Sequence, residues 1–487
     1  MRTGSSPSQN RGLNGSHNHS LKLIQFGILS ILSALLATLP YGSCFSDSPE
    51  LNSNLNLQSH NVNTTQKLKL KHGSPESVNL NPEPLQLMQT NVSAYTLPAN
   101  YSRYSEYDIH PIQPGGVVLI GHDSTIVSEF AFGNASLYSD ANGTLLPKEE
   151  QSPARLDSIY DLASLTKVIS ATVALCLIEQ GLLDVYKPVV HYLPEFGADD
   201  GNGTITTPNL KNQVTVLMLL THTSGFPPDP EPGLLSSKEP RNTAVRYPLQ
   251  DVPGSTYTYS DLNFINMGIL METITQTRLD HLVDSLITSK LDMRSTFYNA
   301  GNVQGSDFPF YNRMVPQEFQ IQTNGPKAAP HRPQPVRGTV HDPNAFALGG
   351  ISGHAGLFST ASDLAKFCQM ILNNGTYNGI RVFKPETVDL MFTNFNTRFP
   401  DDAHSIGFEL NAYYFSGPLA TGLQVAGHTG FTGTSLVLDR STNSFIVHLA
   451  NAIHPNSNWS LNNIVRQALG YWVARSLGRN VTFPPLY

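Results

Sequence analysis

Y-D-L-A-S-L-T-K-V-I-S, Tyr160 to Ser170, runs directly into the apolar stretch Ala171 to Gly181. From Lys167 to Gln180 the sequence is apolar nearly all round, the pattern of a helix buried in a core rather than one lying on a surface. Ser164 stands at the start of that helix, and two readings are open. Serine is a preferred N-cap. It is also a nucleophile if Lys167 can reach it, because residues i and i+3 of a helix share a face with roughly 5 to 6 Å between their Cβ atoms. A capping box wants Glu or Gln where Lys167 stands, and a cation in the first turn opposes the helix dipole by roughly 0.3 to 1 kcal/mol. A position that disfavours the ammonium is wrong for a cap and suits a general base.

Around this helix the sequence supplies a sheet from both ends. G-G-V-V-L-I-G-H-D-S-T-I-V-S-E-F-A-F-G, Gly115 to Gly133, is two β-rich runs about a turn at Gly121 to Asp123, which predicts a hairpin. T-S-L-V-L-D-R-S-T-N-S-F-I-V-H-L-A, Thr434 to Ala450, repeats the pattern with its turn at Asp439 to Asn443. Between them lie helical patterns. Thr360 to Asn374 opens with a Thr360/Asp363 capping box and stops at Gly375. A last helix over Ser460 to Leu477 would pack on the sheet. The fold class expected is α/β (α+β): an antiparallel sheet from the N- and C-terminal parts, flanked by helices, with a mainly helical region inserted. The Pro- and Gly-rich stretches Phe226 to Gly254 and Gly301 to Pro343 are long enough to be functional walls.

The chain has 487 residues, with 30 Lys and Arg against 37 Asp and Glu. That mildly acidic balance, without a basic cluster, argues against a nucleic-acid partner. The first 46 residues read as targeting: Arg2, Arg11 and Lys22 precede an apolar run from Leu23 to Leu39. A signal cleaved near Ser46 and an uncleaved anchor are both open, since about 17 apolar residues is the short limit for spanning a bilayer. Residues 47–107, polar and rich in Asn, Ser and Pro, are expected to be a disordered linker, and 108–487 the folded domain. The expected location is secreted or membrane-anchored through 23–39, on the extracellular or lumenal side. Sequons at Asn63, Asn91, Asn100, Asn134, Asn142, Asn202, Asn374, Asn458 and Asn480 agree with export. Cys176 and Cys368 fall inside apolar patterns and are expected to be buried thiols. No disulfide framework, metal motif or cofactor motif is present.

Two further stretches bear on Ser164. In Y-T-Y-S-D-L-N-F, Tyr257 to Phe264, Tyr259 and Asp261 precede an apolar helical pattern and can project into a cleft; a phenol beside an ammonium becomes a proton relay, because the cation favours phenolate. Capping by Ser260 or Asp261 is the alternative. In A-G-H-T-G-F-T-G-T-S-L-V-L-D, Ala426 to Asp439, Gly430 and Gly433 bracket the start of a β-run, where a missing side chain lets a ligand lie against the strand. His428 would sit at that edge, and the backbone N–H groups of Ser164 and Phe431 would supply an oxyanion hole. A glycine-rich bulge with an incidental histidine is the alternative.

S-L-T-K, Y-S-D and H-T-G, in this order, resemble the S-x-x-K, Y-x-N and K/H-T-G motifs of the β-lactamase and penicillin-binding protein superfamily, in its branch of class C β-lactamases, D-alanyl-D-alanine carboxypeptidases and related esterases. Val214 to Phe226 looks like a helix and loop of that family, and Val336 to Ala365 is similar to a segment of penicillin-binding protein 4B-like members; the likeness covers about Asp108 to Leu477. It implies a β-lactamase/transpeptidase-like fold, with Ser164 acylated and Lys167 and Tyr259 as its proton-transfer partners. It implies His428, Thr429 and Gly430 as substrate-binding, with His428 an electropositive group, and amides of Ser164 and Phe431 for the oxyanion. His354 is expected to form a pocket wall, and His222 to be structural; His341 and Asp342 read mainly as loop structure. Asp261 departs from the family pattern, which has Asn there. An ionised carboxylate only accepts hydrogen bonds, so it would hold Lys167 charged, leave Tyr259 the better base and count against β-lactam turnover. The function expected is an exported serine hydrolase cleaving a D-amino-acid peptide or an ester. The alternative is a catalytically silent binding or scaffolding protein of the same fold.

Overall fold

A computed structural model describes residues 69–100, 109–197, 208–231, 233–320 and 332–484. Its centre is an eight-stranded sheet. The elements that carry it and the site are strand β1 (Lys71–His72), helix α1 (Pro82–Ala94), strands β2 (Gly115–His122) and β3 (Thr125–Ser136), and helices α2 (Thr166–Glu179), α3 (Asp261–Thr275) and α4 (Ala361–Leu372). Strands β4 (Glu409–Leu410), β5 (Val425–Thr429), β6 (Ser435–Asp439) and β7 (Ser444–Ala450) and helix α5 (Asn462–Ser476) complete them. The strand order is β1-β3-β2-β7-β6-β5-β4, with Ser152–Pro153 added on β3. Both predicted hairpins form, and β7 pairs antiparallel with β2, joining the two ends of the chain. The sheet is mixed rather than purely antiparallel, because β1 runs parallel to β3.

Alternation along the strands divides the core. Val117 and Leu119 of β2 face one side, with α2, α3 and α4; Val118 and Ile120 face the other, with α1 and α5. Helix α2 is buried on every side from Thr166 to Leu177, as its all-round apolar pattern requires. Thr360 caps α4 by accepting from Asp363 N. Cys176 and Cys368 are buried and free.

The linker expected over 47–107 is corrected where it can be seen. The described residues belong to one compact unit, and α1 lies inside the supposed linker with Leu85, Met88 and Val92 buried. These form a single stripe at helical spacing, narrow enough to look polar in a sequence scan. Asn81 N donates to Ser476 O (2.9 Å) and Trp472 Nε1 to Asn91 Oδ1 (3.0 Å), docking α1 on α5. The expected signal or anchor, 1–46, lies outside the described residues. Among the described residues no helix is long and apolar enough to cross a membrane.

Candidate active site

Ser164 does not cap α2. It lies in a 3-10 turn, Ala163–Leu165, just ahead of the helix. Ala163 there takes φ = 46°, a left-handed conformation that costs an alanine of order 1 kcal/mol or more. Asp161 stabilises it: Oδ1 accepts from Ala163 N (2.8 Å) and Oδ2 from His341 N (2.7 Å). The carbonyls of Asp161 and Leu162 are tied across to the β5–β6 turn, accepting from Thr432 Oγ1 (2.7 Å) and Thr434 Oγ1 (2.9 Å). Gly430 closes this seam. A Cβ on it would lie 2.1 Å from Thr434 Oγ1 and 2.3 Å from Leu162 O, so only glycine lets the turn carrying Phe431 approach the turn carrying Ser164.

Lys167 is completely buried. Its Nζ lies 2.9 Å from Ser164 Oγ, 3.2 Å from His354 O and 2.6 Å from Asp261 Oδ1. Three acceptors match the three N–H groups of an ammonium. The side chain therefore donates to Ser164 Oγ. Its nitrogen is also 4.9 Å from the centre of the Tyr259 ring, and the Tyr259 hydroxyl interacts with the Ser164 side chain. Contrary to the phenolate expected from the sequence, burial and then the charge of Asp261 push this phenol well above its ordinary value, outweighing the interaction with Ser164. Tyr259 keeps its proton at neutral pH.

The motif L-T-H-T-S-G holds Tyr259 in place. His222 Nδ1 accepts from Ser260 N and Asn263 Nδ2, both at 3.1 Å, and its ring packs 4.5 Å from that of Tyr259. His428 is also placed beside Tyr259, with ring centres 6.0 Å apart. It is not electropositive as expected. Burial, reinforced by the charge of Lys167, pushes it down to about 3, so it is a neutral imidazole under ordinary conditions. His354 is corrected too. It is fully buried behind the wall rather than forming it, with Nε2 2.8 Å from Asp342 Oδ1 and Nδ1 2.8 Å from Ser352 Oγ; only its carbonyl serves Lys167.

Ser164, Tyr259 and Phe431 sit where two cavities meet. One, of about 930 Å³, is also lined by His428, Thr429, Gly430, Glu409, Tyr414 and Arg466. The other, of about 500 Å³, is lined by Asp229, Asp261, Glu318, Asp342 and the loop residues Gly233 and Gln320, so both predicted loop walls reach it. Asp229, missed in the sequence, is hydrogen-bonded to Asp261; burial, then Asp261 and Asp342, push it up to about 6. Burial alone would raise Asp342, but His354 and the Ala345 amide outweigh it and hold this carboxyl below its usual range. Asp261, Asp342 and His354 bring ligand atoms within 4.8 Å of one another. They are already paired, Asp261 with Lys167 and Asp342 with His354, and we assign no metal to them.

A nucleophile donated to by a lysine, a protonated phenol and two facing turns can open a carbonyl bond. Comparison with known proteins points the same way. Residues 110–470 match the β-lactamase family model. Over 407 residues, 79% of this chain and 86% of the relative, the sequence is 32% identical to an Escherichia coli protein named for D-alanyl-D-alanine carboxypeptidase. Over 371 residues, 72% of this chain and 79% of the relative, it is 31% identical to a Bacillus subtilis protein named N-acetylmuramyl-L-alanine amidase. Simvastatin synthase (LovD) from Aspergillus terreus superposes with a TM-score of 0.57 at 19% identity, covering 80% of this chain and 98% of that one, a likeness of fold.

Proposed function

Because the chain belongs to the β-lactamase family of serine hydrolases, we propose that it cleaves a D-amino-acid peptide or amide, or an ester, through an acyl-enzyme on Ser164. The observation that carries this reading is Ser164 Oγ itself, bonded to Lys167 and interacting with Tyr259 at the junction of two cavities.

In the proposed acylation Ser164 Oγ attacks the carbonyl carbon. Its proton passes to the Tyr259 hydroxyl while Tyr259 gives its own to the leaving nitrogen or oxygen, so no free phenolate forms. Lys167, donating to Oγ, stabilises negative charge there as the proton leaves. The amides of Ser164 and Phe431 receive the charge on the carbonyl oxygen; one such donor is typically worth about 10²-fold or more in rate. Deacylation reverses the relay, with water giving a proton to Tyr259 and Tyr259 returning one to Ser164. This assigns Lys167 to charge stabilisation and Tyr259 to proton transfer, a division that the Asp261 ion pair favours. The apolar run 23–39 supports placing the domain outside the cytoplasm.

Labelling by a fluorophosphonate, compared between the wild type and Ser164→Ala, tests the nucleophile, and turnover of a D-alanyl peptide against an activated ester then chooses the substrate class. Labelling that survives Ser164→Ala in folded protein would sink the proposal.

A further inference from the structure

The larger cavity, about 930 Å³, is at the upper end of the range that encloses a drug-sized ligand, far more than a serine and its relay need. Its wall carries a directed chain of hydroxyls. Tyr414 donates to Glu409 Oε1 at 2.6 Å, and the Thr429 side chain interacts with the same hydroxyl. While Glu409 is ionised it only accepts, so in that state Tyr414 commits its one proton to Glu409. Tyr414 then offers Thr429 a lone pair, and Thr429 must commit its own proton to Tyr414. Thr429 Oγ1 is left with only lone pairs for a ligand.

The rest of the wall points to the same kind of ligand. Among the described residues, Asn462 Oδ1 is a buried acceptor without a partner, its Nδ2 being committed to Ser460 Oγ at 2.6 Å. Glu409 and Asp402 make no ion pair with any described residue. Arg466, the cation of this wall, has its terminal nitrogens on Asn463 Oδ1 (2.9 Å), Gly430 O (2.9 Å) and Thr434 O (3.0 Å). It braces the β5–β6 turn and makes no ion pair with a described carboxylate, although its charge acts on Glu409 and offsets part of the rise that burial causes. Glu409 without an ion pair and the acceptors of Thr429 and Asn462 call for a ligand that brings N–H donors and positive charge.

Resting on the hydrolase reading above, we propose that this cavity selects substrates carrying a primary ammonium group, which donates to Thr429 Oγ1 and sets its charge against Glu409. Burial pushes Glu409 up to about 7, so an arriving ammonium also completes its ionisation and fixes the direction of the chain. Tyr414 is a positioning residue in this scheme, and Glu409 determines specificity.

The test uses two alkyl fluorophosphonates, one tipped with a primary amine and the other its methyl-tipped isostere; Ser164 Oγ attacks phosphorus and fluoride leaves. The wild type is expected to react with the amine-tipped probe about tenfold faster, the scale of a charge-assisted hydrogen bond. The ratio should fall to about one in Glu409→Gln, whose amide is uncharged and can donate as well as accept. It should fall partway in Tyr414→Phe, which carries the test if Glu409→Gln does not fold. A wild-type ratio near one overturns the inference alone. So does a ratio unchanged in either variant, which would place the amine in the smaller acidic cavity instead. Failure of both probes to label Ser164 overturns the hydrolase reading, and this inference with it.

Discussion

The two sides of the cleft are finished differently. On the Lys167 side the groups around the nucleophile are mostly matched, Nζ by Ser164 Oγ, His354 O and the Asp261 ion pair, His354 by Asp342 and Ser352, and Asp161 by two backbone amides, with His222 Nε2 behind Tyr259 left without a partner among the described residues. Across the cleft His428 Nε2, Arg466 Nε and Asn462 Oδ1 are buried without a partner among the described residues. Unmet polar groups in an interior are costly, by about 1 to 3 kcal/mol each. A closed network holds atoms in fixed places, as a nucleophile and its relay require; an open one keeps its hydrogen bonds for something that comes and goes.

If the Lys167 side is a closed network, breaking it costs stability as well as activity. Lys167→Ala leaves Asp261 without its cation, and we expect a loss of about 3 to 5 kcal/mol in unfolding free energy, with kcat/KM down by about 10³-fold or more. Adding Asp261→Asn should restore most of the stability and little of the activity. Denaturant unfolding and steady-state kinetics on both variants check this; recovery of both together would mean that the pair only supports the fold.

Tyr259→Phe sharpens the division between chemistry and scaffold. The ring stays against His222, so the stability loss should be about 1 kcal/mol, one hydrogen bond. Loss of the relay should lower kcat by about 10²-fold or more with KM little changed. A variant turning over at the wild-type rate would remove Tyr259 from proton transfer.

A further effect, seen only as acidity rises, concerns the buried imidazoles. Burial lowers His428 to about 3 and His404 to about 4, against about 6.5 in an unfolded chain. Between those values the unfolded state binds more protons, so stability is greatest above about pH 6.5 and falls as pH is lowered through that window. Each imidazole contributes a slope approaching 1.4 kcal/mol per pH unit, about the value of one unit of pKa difference. His428→Asn should reduce the slope measured by denaturant unfolding between about pH 6.5 and pH 4; an unchanged slope would mean that His428 is accessible to protons in the folded protein.

The same contrast explains what could be read in advance. The hairpins, α2 and α4 were legible because their patterns are local: strand alternation, an all-apolar helix, a Thr cap three residues before Asp. Lys167 stood out because a cation is wrong for a cap, and Ser164, Tyr259 and Asp261 because with it they fall in the order of the family's motifs. Helix α1 was not, because its buried stripe is narrow, with Leu85, Met88 and Val92 following Pro84. Nor was the neutrality of His428 or the protonation of Tyr259, since burial is set by distant segments and overrides the local charge argument. The chain from Thr429 through Tyr414 to Glu409 had no local signal, because a glutamate in a two-residue strand and a tyrosine in the one-turn helix Tyr413–Ser416 gain direction only when the fold joins them.

The central claim is that Ser164 carries the acyl group. Rapid-quench intact-mass spectrometry during turnover of an activated ester or a D-alanyl peptide measures it directly. The account predicts a transient mass increase equal to the acyl group, mapped to the peptide containing Ser164 and absent in Ser164→Ala. Turnover at an undiminished rate in Ser164→Ala, or an adduct mapped to another residue, would contradict it.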